Sequence, residues 1–204
     1  MNSPIYIAYD NEDEKLGHFF QSCHDKIREV AVTKGIDYES LASQHLTKDN
    51  INNHTSEADE YIFSAFSHGT DDSLICGNSV YIEANDNVKN FYSSIFYTFA
   101  CNTANGIGKE FNDAYVLGYF GYNNEAWVVP AYENMFVECA TKGLVSYIEG
   151  KTLKEAVADL IAVYDKYIKN AKVNPIYACL LKNKQALVTI INDEEKRITD
   201  LYSF

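Results

Sequence analysis

Two apolar stretches of this chain each end on a side chain that can do chemistry. Tyr61 to Phe66 runs into Ser67, His68 and Gly69, and Ser94 to Ala100 runs into Cys101. An imidazole and a thiol brought within reach of one another make a base and a nucleophile: the ring takes the proton and the sulfur attacks an electron-poor carbonyl carbon. Glycine after the histidine lets the backbone come close to a substrate. The amides of Gly69 and Cys101, the latter where a strand turns toward a helix, could then donate to a developing oxyanion. The chemistry this set supports is acyl transfer, most simply peptide-bond hydrolysis through a thioester. A histidine at a strand end is often only a polar terminus, and a free cysteine is often only a small buried apolar group. It is the repetition of the design that carries the reading.

Positioning these groups requires a sheet whose strands end together. Ile5 to Tyr9 is a short apolar run that stops at Asp10-Asn11-Glu12-Asp13, as a buried strand stops at a loop. From Glu14 to about Lys34 the apolar residues Leu16, Phe19, Phe20, Cys23, Ile27, Val30 and Ala31 recur at helical spacing and Gly35 follows, which predicts an amphipathic helix with a glycine stop. Ser73 to Glu83 reads as a small hairpin. Asn102 to Ala114 is short and helical, and Tyr115 to Tyr122 is a fourth core strand. Val129 to Ile148 and Thr152 to Lys169 are helical by period, the second opening on a Thr152 and Glu155 capping box. Pro175 to about Asp193 is apolar and expected to be helical. Strands this continuously apolar, alternating with helices, predict an α/β domain with a mostly parallel sheet. In such sheets ligands gather beyond the carboxyl ends of the strands, where His68 and Cys101 fall.

Composition narrows the classes. A chain of 204 residues with 47% hydrophobic residues and only 3 Pro can form one ordered domain with a single core. Its formal charge of −12 repels a phosphate backbone, so nucleic acid is not expected as a partner. No apolar run approaches the roughly 20 residues that cross a bilayer, and the opening MNSPIYIAYD lacks the layout of a secretory signal. The expectation is a cytoplasmic protein with no membrane partner. The five cysteines are scattered without a CxxC pair, and Cys23, His24 and His18 point in different directions on a helix. No metal and no cofactor are expected. The glycines near Gly106 lack the spacing of a phosphate loop or a dinucleotide fingerprint.

The two strand ends together resemble the dyad of the caspase-like cysteine peptidases, the group of caspases, metacaspases, gingipains, separases and the CHAT proteins. The similarity is greatest to the CHAT-type branch, through FSAFSHGT, FYTFACNTANGIG, VLGYFGYNNEAW and YIEGKTLKEAVADL, in that order between about Tyr61 and Leu160. The resemblance implies a three-layer caspase-like fold, a mostly parallel central sheet flanked by helices, in one peptidase domain over 1–204. The catalytic core would span about 1–165 and a C-terminal helical segment about 172–194. It implies His68 as the catalytic histidine, Cys101 as the nucleophile and Gly69 as an oxyanion donor beside the Cys101 amide. Asn102-Thr103 follows the cysteine where caspases and metacaspases carry other residues, so their specificity is not carried over.

In that fold the loop after the first strand helps to line the pocket for the residue before the scissile bond. Here the loop begins with Asp10, and a buried carboxylate would select Arg or Lys, bidentately for Arg. The resemblance further implies a protein substrate and latency until an activating partner or small-molecule signal orders the site, as in prokaryotic antiviral defence or cell-death systems. The 38–60 stretch and the 121–128 loop with Trp127 are where such a signal would act. Two other readings stay open: a caspase-like binding or scaffold domain without turnover, and a flavodoxin-like α/β domain that binds a small ligand at its strand ends.

Overall fold

The computed structural model describes residues 5–56, 60–113 and 116–202. Ala114 and Tyr115, expected to end a helix and open a strand, lie outside the described residues, as do the first four residues of the opening. Strand β1 (Ile5–Tyr9) is buried along its whole length, as are β3 (Ile62–Phe66), β7 (Ile95–Phe99) and β8 (Gly118–Tyr122). Side chains on both faces of these strands meet helices or loops, which is why each reads as an unbroken apolar run. With β2 (Tyr38–Ala42) and β9 (Leu187–Ile191) they form one six-stranded sheet in the order β2-β1-β3-β7-β8-β9. Five strands are parallel and β9 pairs antiparallel with β8.

On one face lie α1 (Gly17–Lys34), α4 (Glu133–Ile148) and α5 (Leu153–Asn170), whose apolar stripes close over Ile5, Ile7, Phe66, Tyr97 and Phe99. The other face is covered by α2 (Lys48–Thr55), α3 (Ile107–Asp113) and a second sheet of β4 (His68–Gly69), β5 (Ser73–Cys76) and β6 (Ser79–Glu83), over Tyr6, Ala8, Phe63, Phe96 and Tyr119. This is the expected three-layer α/β architecture.

Local signals account for the helix ends. α1 stops at Gly35, whose φ of +68° is the left-handed conformation that glycine adopts without strain. α5 starts in the Thr152 and Glu155 capping box, with both reciprocal hydrogen bonds formed. The C-terminal stretch departs from expectation. α6 (Asn174–Ala186) ends where Leu187 turns extended, and 187–191 is a strand in place of further helix. That apolar run completes the sheet at its β8 edge. α1 likewise begins at Gly17 and not at Glu14, because Asp13 holds residues 13–16 in a turn: its backbone carbonyl accepts the Gly17 N–H at 3.0 Å.

Candidate active site

The sheet registers bring the candidate residues together. β1, β3 and β7 are consecutive neighbours, with Tyr9 beside Phe66 and Phe66 beside Phe99. Extending each strand past its last paired residue sets Asp10, His68 and Cys101 at the same carboxyl edge, on three adjacent strands. The Asp10 N–H still donates to the Phe66 carbonyl at 3.0 Å. After Ser67 the chain leaves the main sheet, and His68 and Gly69 pair with Ile75 and Leu74. Buried Ser67 anchors this departure through a 2.6 Å hydrogen bond with Tyr81 on β6.

Gly69 sits hard against the cysteine strand. A Cβ there would lie 2.8 Å from the Cys101 carbonyl oxygen and 3.0 Å from the Ala100 Cβ, so only glycine fits. His68 is half exposed, with the edge of its ring against Phe20. Its Nε2 lies 3.0 Å from Oδ2 of Asp13. Burial pushes the Asp13 carboxyl up, but the amides of Leu16 and Lys15 and the His68 imidazole offset that and hold it below its ordinary value. An ionised carboxylate only accepts. The proton of a neutral His68 therefore sits on Nε2, and Nδ1 keeps its lone pair as the basic nitrogen.

The Cys101 sulfur is partly buried, and burial raises its pKa. The Ala126 amide, whose N–H points at Sγ from 3.3 Å, pulls it down, and the Glu125 carboxylate raises it again. His68 and Cys101 are not hydrogen-bonded to each other. In this state the sulfur is a thiol with the Ala126 amide, and its own, already in place to favour the thiolate.

Asp10 is 2% exposed. Its Oδ1 accepts from Ser43 Oγ at 2.7 Å and its Oδ2 faces the Gly77 amide at 3.4 Å. Beside it opens a cavity of about 330 Å³ lined by Asp10, Glu12, Asp13, Ser43, Cys76 and Gly77. Burial and the neighbouring Asp10 push the Cys76 thiol up to about 12, so it lines the wall as a neutral group. Asp13 belongs both to this cavity and to the histidine. The sequence alone sets Asp13 in the loop after β1 without a role. Its position three residues before the first helical apolar residue was the available signal, since Asp favours such turns. Ser43, on the turn after β2, carried no sequence signal.

Comparison with solved structures finds gingipain R, whose description is an Arg-specific cysteine proteinase, at a TM-score of 0.64 and 10% identity over 95% of this chain. The chain spans 46% of the length of that structure. Caspase-1 from Spodoptera frugiperda aligns at a TM-score of 0.58 and 14% identity, covering 94% of this chain and 88% of its own. No protein-family model matches, and no curated protein matches. Among the described residues no helix is long and apolar enough to cross a membrane. The likeness is one of architecture: a mostly parallel sheet flanked by helices in the arrangement of two caspase-like cysteine proteases, so the fold of this chain is caspase-like.

Proposed function

We propose that the protein is a cysteine endopeptidase that cleaves after Arg or Lys, with Cys101 as nucleophile and His68 as general base. The observation that carries this is the placement of Asp10, His68 and Cys101 at the ends of three neighbouring strands, with an acid-lined cavity opening beside the base. The ordered motifs from about Tyr61 to Leu160 favour the CHAT-type branch of this fold.

In the proposed reaction the lone pair on His68 Nδ1 takes the Cys101 proton as the sulfur attacks the scissile carbonyl carbon. The carbonyl π pair moves onto oxygen, where the Gly69 and Cys101 amides can stabilise it. When the oxyanion collapses, the C–N bond breaks and the imidazolium gives its proton to the leaving amine. A water deprotonated by the same nitrogen then cleaves the thioester, and the sulfur recovers its proton. Asp13 keeps the ring oriented with Nε2 protonated and stabilises the imidazolium. A guanidinium or ammonium entering the cavity meets Asp10, whose burial makes a charged hydrogen bond strong. Gingipain R, whose name records Arg specificity, shares the architecture.

The raised thiol and the absent bond between sulfur and imidazole favour a resting, latent state that a partner or small molecule relieves. The deciding test is a fluorogenic library varied at the residue before the scissile bond, with wild type and Cys101→Ala. Cleavage confined to Arg or Lys and lost in the variant is expected. Cleavage after Asp would remove the role given to Asp10, and a wild-type rate in Cys101→Ala would remove the dyad.

A further inference from the structure

We infer that Asn183, on the last helix and outside the stretch that carries the motifs, is a positioning residue for the Cys101 sulfur. Its side chain is completely buried and grips one residue of the loop after β8 from both sides. The Trp127 N–H donates to Asn183 Oδ1 at 2.8 Å, and Asn183 Nδ2 donates to the Trp127 carbonyl at 2.7 Å. The preceding residue is Ala126, whose N–H points at Cys101 Sγ. The other end of the same loop is tied to the end of α6 as well, since the Asn123 N–H donates to the Ala186 carbonyl at 2.8 Å. Between these ties, the Asn102 N–H, next to the nucleophile, donates to the Asn124 carbonyl at 3.2 Å. The loop is thus clamped to α6 on both sides of the point where it meets the cysteine.

The physical consequence falls on the sulfur. An N–H aimed at Sγ favours the thiolate over the thiol, and its value depends on direction. A single-residue tether one position along the backbone fixes that direction. An unanchored loop would let the amide turn to water and leave burial and the Glu125 carboxylate, which oppose ionisation, offset only by the sulfur's own Cys101 amide. The charged group that bears on the sulfur is Glu125 on this loop; His68 with Asp13 lies across the sheet edge, and Lys182 is on α6. The Lys182 ammonium sits 5.1 Å from the Trp127 ring centroid, and none of these groups is altered by changing Asn183. The inference rests on Cys101 being the nucleophile, but not on any peptide being cleaved.

The experiment is site-resolved alkylation of Cys101 by iodoacetamide from about pH 6 to 10, on the full chain and on Asn183→Leu. Leucine has nearly the shape of asparagine and removes both hydrogen bonds. The expected result is Cys101 labelling slowed roughly threefold to tenfold at neutral pH, with its midpoint moved upward by about half to one pH unit and Cys76 labelling unchanged. A folded Asn183→Leu with the wild-type profile would overturn the assignment. If the variant does not fold, hydrogen exchange on the wild type decides. The Trp127 amide should be protected together with α6, and its free exchange while α6 stays protected would overturn the clamp. Alkylation needs no substrate, so a protein that cleaves nothing can still pass or fail this test.

Discussion

Asp13 accepts the Nε2–H of His68 with one carboxylate oxygen, at 3.0 Å, while its other oxygen accepts the amides of Lys15 and Leu16 at the turn into α1. The carboxylate that orients the His68 ring is therefore fixed by the backbone at the turn into the first helix. Replacing it with Asn keeps the size but removes the charge that sets the tautomer. Asp13→Asn should lower kcat/KM by about tenfold to a hundredfold, with KM little changed, in a steady-state assay on the activated protein.

The same carboxylate gives a pH dependence with a definite sign. Its folded value lies below the ordinary 3.8, so its contribution to stability is present above that ordinary value and is lost as pH falls through the depressed one. Thermal midpoints taken from about pH 5 down to 2.5 should fall more steeply for wild type than for Asp13→Asn.

Asp10 lines the cavity and is almost fully buried. Asp10→Asn should cut kcat/KM for peptides with Arg before the scissile bond by the equivalent of about 2–5 kcal/mol, the usual cost of losing one partner of a buried charged pair. Cys101 alkylation should be unaffected. A parallel loss of alkylation would mean that Asp10 supports the fold of the site and not a cationic side chain.

At Gly69 the expectation is steric. A methyl group there meets the Cys101 carbonyl at 2.8 Å, and the two strands must part to admit it. Gly69→Ala should cost about 1–3 kcal/mol of stability and abolish turnover, read by denaturant unfolding and by the peptide assay.

The α5 capping box offers a control remote from the chemistry. Thr152→Ala removes the acceptor for the Glu155 amide and should cost about 1 kcal/mol, lowering the thermal midpoint without moving the Cys101 alkylation profile.

The strands that end at His68 and Cys101 were legible because both of their faces are covered, and apolar residues such as Phe63, Ala65, Phe96 and Phe99 outnumber the buried Ser64 and Thr98. β2 was not legible, since only Leu41 of Tyr38–Ala42 is buried and an edge strand need not repeat an apolar pattern. β9 was taken for helix because LVTII continues the apolar composition of α6. A five-residue run carries too few positions to separate the two periods. His68, Gly69 and Cys101 stand out as candidates at the strand ends, and Asp10 through the resemblance to the caspase-like fold. The partnership of Asp13 with His68, the Ser43 hydroxyl on Asp10 and the hold of Asn183 on Trp127 join residues 33 to 56 positions apart. Nothing in the local sequence encodes such meetings.

Asp10, His68 and Cys101 follow the ends of three adjacent strands, and the spacing of those strands, about 4.8 Å, is set by peptide hydrogen bonds that nearly every residue type can make. Many side chains in the three layers can therefore be exchanged over evolutionary time while the strand ends keep their spacing. A chain that shares only 10–14% of its residues with two proteases can in this way keep the same ruler.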